Sequence, residues 1–297
     1  MIIAVVGGSG FVGQRLCWRL HAAGHEVRVV TRRRESHREL LVLPNLQVVE
    51  ANVHQGADLR RALVGVDAVV NLVGILNESR LATFESAHVE LPGLIVQACR
   101  QNGVPRLLHM SALHASADGA SRYLQSKGRG EQRVHEAQGA ELAVTSFRPS
   151  VIFGPGDRFT NLFASFLRYA PGFFPLACAD ATMQPVHVED VTRAMVAALP
   201  RHDTYGQHYN LCGPRVYYLQ QILELIARVQ GRPRRIIPLG KKLSWLQAAV
   251  LQYAPGKPFT LDNHRSLQVP SVCAGPFPEI FGGNLRTLEE SLPTYLR

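Results

Sequence analysis

Tyr123 and Lys127 stand four residues apart in the stretch SRYLQSKGRGE, so on a helix both side chains leave from one face. Ser111 ends an apolar run a short way upstream. Together these three residue types suit one reaction. Serine and tyrosine hydroxyls hold a carbonyl oxygen, and the phenol passes it a proton as general acid. The lysine ammonium favours the tyrosinate form, draws its pKa down and reaches the ribose of a nicotinamide. The hydride then has to come from that nicotinamide, and the chain must carry somewhere to hold it.

The N-terminus supplies such a place. In MIIAVVGGSGFVG an apolar run, Ile2 to Val6, leads into Gly7, Gly8, Ser9 and Gly10, then Phe11, Val12 and Gly13. A strand that turns tightly at Gly7, a backbone near Gly10 bare enough to approach a pyrophosphate, and a helix packed closely at Gly13 make a dinucleotide cradle. The first amides of the helix point at the phosphates. The stretch also fits Gly-x-Gly-x-x-Gly through Gly8, and it has the required context, with a strand before it and the helical run Phe11, Val12, Leu16, Leu20 after it. The second strand ends at Thr31. There an NAD-specific fold would place an acid for the ribose 2′-hydroxyl, and here Arg32, Arg33 and Arg34 follow. Guanidinium forks suit a 2′-phosphate, which favours NADP(H), held mainly by Arg32 and Arg33 with the Thr31 hydroxyl.

The elements that must position these groups follow from periodicity. Strands are expected at 2–6, 26–31, 46–50, 67–72, 106–110 and 142–147, with helices near 11–23, 58–64, 84–102 and 121–138. This alternation marks an α/β, Rossmann-type, doubly wound parallel sheet. Ligands in such sheets sit beyond the carboxyl ends of the strands. That adds Asn52 and Val53 after the third strand, and Leu72, Val73 and Gly74 after the fourth, to the expected contacts. Residues 1–150 would form the nucleotide domain, its sheet completed by parts of 180–215. Residues 151–297, richer in Pro and Gly, would form mostly a smaller C-terminal lobe. Within it a helix is expected near 191–199, with Asp190 as N-cap, and another near 219–230; the span 232–275 reads as less regular. Trp245, Leu246 and Val250, near Lys241 and Lys242, are expected to pack inward on a short amphipathic helix. Arg148 suits either an anionic substrate or a structural ion pair.

Composition bounds the rest. The 297 residues are 46% hydrophobic, enough for a large core. The net charge of +9 attracts anions in general, but no nucleic-acid motif and no long basic block accompanies it. Five cysteines without ligand spacing read as reduced thiols of a cytoplasmic protein. No signal peptide is expected ahead of the first strand. No apolar run approaches the roughly 20 residues of a spanning helix, which leaves a peripheral contact with a membrane or a membrane complex open. The twelve histidines show no paired spacing, so His88, His109, His114 and His187 read as surface or satisfied side chains and no metal is expected.

GGSGFVG, VVNLVG at 69–74, Ser111 with Tyr123 and Lys127, RPSVIFGPGD at 148–157 and VHVEDV at 186–191 make the chain resemble the extended and atypical short-chain dehydrogenase/reductase superfamily. NLVG, SRYLQSKGRGE and TLEESLPTYL are most similar to its branch around the 39 kDa accessory subunit of respiratory complex I. That resemblance implies tightly held NADPH at Gly7, Gly10, Phe11, Val12, Arg32, Arg33, Val73, Gly74, Tyr123 and Lys127, in a subunit regarded as binding the nucleotide without known turnover. Two positions depart from the wider pattern. Asn52 stands where many members have an adenine-binding Asp, and Ala112 stands where many have the catalytic hydroxyl, which leaves that task to Ser111. Three functions follow as expectations: an NADP-dependent reductase of a small molecule, a non-catalytic NADPH-holding accessory or assembly protein, and a nucleotide-sugar epimerase or dehydratase.

Overall fold

The computed structural model describes residues 1–32 and 44–296. In chain order its strands and α-helices are β1 (Ile2–Val6), α1 (Phe11–Ala22), β2 (Glu26–Thr31), β3 (Leu46–Glu50), α2 (Gly56–Ala62), β4 (Ala68–Asn71), α3 (Leu91–Gln101), β5 (Arg106–Met110), α4 (Arg122–His135), β6 (Ala143–Pro149) and β7 (Ile152–Phe153). There follow α5 (Phe159–Tyr169), β8 (Phe173–Leu176), β9 (Thr182–Met183), β10 (Val186–His187), α6 (Val188–Ala198), β11 (Gln207–Leu211), β12 (Tyr217–Tyr218), α7 (Leu219–Val229), β13 (Arg235–Pro238), α8 (Lys241–Leu251), α9 (Leu261–Ser266) and α10 (Leu288–Ser291). A π-helical turn, Glu85–Glu90, runs directly into α3.

The chain divides into two compact units. The first comprises residues 1–117, 125–148 and 192–209; the second comprises 118–124, 149–191 and 210–297.

The first unit is built on a seven-stranded sheet in the order β11-β6-β5-β4-β1-β2-β3. The six strands β3-β2-β1-β4-β5-β6 pair in parallel throughout. The order reverses between β1 and β4, the switch point at which a doubly wound sheet opens a crevice. Side chains alternate across each strand, so Ala4, Val6, Val69, Leu107 and Val144 join Leu59, Leu91 and Ile95 of α2 and α3 in one core. Ile3 and Val5, equally buried, serve the other face of the sheet. Arg106 is 2% exposed at the start of β5. Its guanidinium donates to Ala143 O, Ala198 O, Thr145 Oγ1 and Thr204 Oγ1 and lies 4.6 Å from the Tyr205 ring, so carbonyls, hydroxyls and a π-face stand in for a carboxylate.

The second unit has a separate core of Phe153, Leu167, Leu176, Met183, Ile222, Leu223, Ile226 and Leu292, with three two-stranded ladders in place of a large sheet. The expected N-cap role of Asp190 does not hold. Helix α6 starts at Val188, which puts Asp190 in its first turn, fully buried, where its carboxylate accepts from Arg286 N at 3.0 Å. The expectation of five reduced cysteines is also corrected, because Cys212 and Cys273 form a disulfide with Cα atoms 6.0 Å apart. Gln184 brings their segments together: its side chain accepts from Cys273 N and donates to Gly213 O, and its carbonyl accepts from Gly213 N. Cys17, Cys99 and Cys178 are free and buried, and burial pushes the Cys17 and Cys99 thiols up to about 12. No helix among the described residues is long and apolar enough to cross a membrane.

Unfolding without reductant will therefore expose three alkylatable thiols, and unfolding after reduction five. Breaking the bridge will lower the unfolding free energy by about 2–4 kcal/mol, as expected for a loop of this length. Capture of all five thiols without reductant would disprove the bridge.

Candidate functional site

The glycine turn forms where its pattern placed it. Gly7 has φ of +86°, a backbone state that side chains disfavour. A Cβ there would also lie 3.1 Å from Val73 N, so the turn and the loop after β4 touch backbone to backbone. A Cβ on Gly13 would fall on Gly7 O and 2.5 Å from Gly8 Cα, which fixes how closely α1 approaches the turn. Gly10 N donates to Gly7 O at 3.0 Å. Gly10 is also the N-cap of α1, with no side-chain cap and no acid in the first turn. The first amides are thus left to an anion, and the turn fits the diphosphate of a dinucleotide.

Around that turn the other expected contacts divide by what they can offer. Thr31 is buried at the end of β2 and Arg32 is exposed beside it, while Arg33 and Arg34 lie outside the described residues. In register with Thr31 stands Glu50, at the end of β3, an acid that the sequence reading did not weigh. Val53 belongs to the core and has only its backbone to offer. Asn52 is exposed, with its Oδ1 engaged by His54 N at 3.2 Å. Leu72 and Val73 form the partly exposed floor after β4, and Asn71 holds them in place: its Oδ1 accepts from Val73 N and its Nδ2 meets His109 Nδ1, both at 3.2 Å.

Lys127 is 5% exposed, and its ammonium donates to Met110 O at 2.8 Å. Gly74 is its neighbour: a Cβ there would lie 3.4 Å from Lys127 Nζ and 3.7 Å from His88 Nε2. Burial lowers the lysine to about 8, partly offset by Glu131. His88 Nε2 accepts from Ile75 N at 3.0 Å, so its other nitrogen, Nδ1, carries the proton and donates to Ser126 Oγ at 2.8 Å. Burial and the Lys127 charge hold His88 well below its ordinary pKa, so a neutral imidazole faces the ammonium. Tyr123 sits one turn earlier on α4. Asp262 of α9 accepts from the backbone amides of Arg122 and Tyr123 at 2.8 and 3.1 Å. Burial raises the Tyr123 phenol to about 12. The expected lowering by Lys127 is therefore not what the geometry produces: desolvation of the phenol dominates.

The Ser111 hydroxyl, expected to face a carbonyl, donates instead to Glu131 Oε2 at 2.8 Å. Glu131 is 2% exposed and is the main residue the sequence reading passed over. Arg148 Nε lies 2.9 Å from both its oxygens and His208 Nδ1 lies 2.7 Å from Oε1. Of the two roles open to Arg148, the ion pair is the one formed. An open hollow of about 480 Å³ lies here, lined by Ser116, Glu131, His135, Arg148 and His208 among others. Ligand atoms of Glu131, His135 and His208 lie within 4.8 Å of one another. The two imidazoles, however, stack with centroids 3.8 Å apart and planes at 25°, so their in-plane lone pairs run side by side instead of converging, and Arg148 already neutralises the carboxylate. Burial and His208 lower His135 to about 4. The group is an ion-pair hub. The one sequence signal for it was Glu131 lying one turn beyond Lys127 on the same helix face.

Helix α4 reaches its neighbours through glycine. A Cβ on Gly130 would fall on His88 O, and one on Gly128 would overlap the Ser116 backbone. Two glycines inside a helix cost roughly 1 kcal/mol each relative to alanine, and here they allow backbone approach that alanine would block.

Comparison with known proteins adds three findings. A family model described as the NAD dependent epimerase/dehydratase family matches residues 3–212. The chain is 30% identical over 285 residues, 94% of its length and 74% of the relative's, to mitochondrial NADH dehydrogenase (ubiquinone) 1 alpha subcomplex subunit 9 of Mus musculus. It is 29% identical over 199 residues, 66% of its length and 60% of the relative's, to a ceramide reductase of Caulobacter vibrioides. Among solved structures, MoeE5 in complex with UDP-glucuronic acid and NAD superposes with a TM-score of 0.74 at 20% identity, covering 100% of this chain and 98% of that one.

Two substitutions test the buried charges. Glu131→Gln will cost about 2–4 kcal/mol by leaving Arg148 without its counter-ion, and pairing it with Arg148→Met will recover part of the loss; a neutral single substitution would contradict the hub. Lys127→Met will raise stability at pH 7 by about 1–3 kcal/mol, since the native lysine has a lower pKa than the unfolded one and folding must desolvate its charge. That penalty is full below pH 8 and fades as pH rises from about 8 toward the ordinary 10.5, so the advantage of the variant should vanish over that range in denaturation curves. A gap independent of pH would mean that the ammonium is not desolvated.

Proposed function

Because the chain belongs to the NAD dependent epimerase/dehydratase family, we propose that it binds NADPH and reduces a carbonyl or activated double bond of a small molecule. The observation that carries this reading is the buried Lys127 ammonium beside the side-chain-free Gly74, one helical turn after Tyr123. Bound NADPH supplies the hydride. Lys127 donates to the nicotinamide ribose with a proton its present partner, Met110 O, does not use. Tyr123, whose raised pKa keeps it protonated at neutral pH, gives its hydroxyl proton to the substrate oxygen. The first-turn amides of α1 hold the diphosphate.

The preference for NADPH rests on Thr31 and Arg32 at the end of β2, with Arg33 and Arg34 following in the sequence. Glu50 works against it, since a carboxylate in register with Thr31 repels a 2′-phosphate, and the preference is the margin by which the arginines exceed that repulsion. A second reading is favoured by Ser111 and Ala112. With the serine hydroxyl given to Glu131 and no hydroxyl at the next position, Tyr123 is left to polarise a carbonyl with less help. On that reading the nucleotide is held tightly without turnover, in an accessory or assembly protein that contacts a membrane or a membrane complex.

Calorimetry should give NADPH a roughly ten- to hundredfold advantage over NADH, the value of one charge-assisted contact, and Arg32→Ala/Arg33→Ala should erase it. Equal affinities in the wild type would remove the argument for NADPH. In a screen of aldehydes, ketones and quinones for NADPH oxidation, Tyr123→Phe should lose at least a hundredfold in rate while keeping nucleotide affinity, in line with the loss of a general acid. Tight NADPH binding with no oxidation by any substrate would transfer support to the second reading.

A further inference from the structure

Helix α8 has its pattern reversed. The residues it turns inward are small: Ser244 is 2% exposed and Ala248 fully buried. Ser244 Oγ donates to Leu239 O and accepts from Cys178 N, while Gln247 Nε2 donates to Pro175 O. The residues it turns outward are large and apolar: Leu243, Leu246, Val250 and, just past its end, Tyr253 follow one another at spacings of three, four and three, with Trp245 flanking them. Each is half exposed or more, up to 85% for Tyr253. The expectation that Trp245, Leu246 and Val250 pack inward is thereby overturned. Polar hydrogen bonds and small side chains are enough to hold the helix to the rest of its unit, which leaves the large side chains in water.

Charge says what would cover that face. Residues 225–260 contain seven Lys and Arg and not one Asp or Glu. Arg232 and Arg234 donate to the carbonyls of Arg168 and Leu167, contacts that leave their charge unneutralised. Lys241 and Lys242 open the helix, both exposed, and Lys257 follows it. An apolar stripe bordered by Trp, Tyr and lysines with long aliphatic stems suits the boundary between headgroups and acyl chains. Lysines are by contrast depleted in protein–protein interfaces. From this we propose that α8 lies in the plane of an anionic phospholipid bilayer, its Leu243, Trp245, Leu246 and Val250 inserted below the headgroups and Lys241 and Lys242 on the lipid phosphates. The proposal is independent of whether the bound nucleotide turns over.

The test uses the full chain with NADPH and with Trp18→Phe, which leaves Trp245 as the remaining one of two tryptophans. Vesicles of phosphatidylcholine with one third phosphatidylglycerol should sediment the protein and shift Trp245 emission to the blue, whereas pure phosphatidylcholine should do neither. Leu246→Glu/Val250→Glu and Lys241→Glu/Lys242→Glu should each reduce binding at least tenfold. Because these positions are exposed, melting temperature and NADPH affinity should stay unchanged in both variants. Three results would overturn the proposal: no binding to anionic vesicles, undiminished binding by either variant, or light scattering that shows a dimer in solution which Leu246→Glu dissolves, since the occupant of the face would then be a second copy of the chain.

Discussion

Lys127 carries a positive charge to a position that water barely reaches, and much of the first unit is arranged around the need to keep it there. An ammonium so placed must be given an acceptor and spared further cations. Met110 O, at the carboxyl end of β5, is the acceptor. His88, whose pKa the lysine charge helps to lower, is held neutral in one tautomer by Ile75 N on one side and Ser126 on the other. Glu131, the residue one turn further along α4, lends a carboxylate but shares it with Arg148, Ser111 and His208. Because Gly128 and Gly130 let the backbone of α4 come so near Ser116 and His88, a one-turn displacement of the helix is blocked by atoms and does not depend on weak packing. A charge held this firmly before any ligand arrives costs little further entropy when one binds.

Much of this could be read from residue order alone, and the part that could is local. Most strand and helix limits of the first unit fell within a residue or two of those expected, because hydrophobic period and the glycine turns at Gly7, Gly24, Gly65 and Gly103, all at positive φ, act over a few positions. Helix α4 ends three residues before the expected 138, and the helix expected at 84–102 opens as a π-helical turn before α3 begins at Leu91. The glycine turn ahead of α1 was legible for the same reason. What could not be read depends on partners far apart. Glu131 meets His208 across 77 positions and Arg148 across 17, and nothing in the periodicity of α4 distinguishes a carboxylate that receives three partners from one that faces solvent. Cys212 and Cys273 are aligned by Gln184, a residue with no signature of its own. The pKa of Tyr123 followed burial, which spacing does not report.

Helix α8 failed to follow expectation for a different reason. Amphipathicity fixes that a helix has two faces, and the usual assignment puts the larger apolar face inward because that removes most surface from water. Here the inward face is built from Ser244 and Ala248 with three polar contacts, and the loss of apolar burial is accepted across Leu243, Leu246 and Val250. A sequence in which both faces are free of acids and neither is strongly polar leaves that choice to the tertiary contacts.

The Cys212–Cys273 bridge makes a covalent ring out of the chain between them, a stretch that contains α7, α8 and α9. A peptide bond cut anywhere inside the ring would open it without releasing either piece. The part of the molecule that presents its bare apolar helix would then outlast a first proteolytic nick as long as the bridge stays oxidised. In a reducing compartment the same nick would leave the two pieces joined only by non-covalent contacts, such as those of Gln184 with Cys273 and Asp190 with Arg286, and clearance could begin at that point. The redox state of the surroundings thus sets how many cuts this lobe can take before it comes apart.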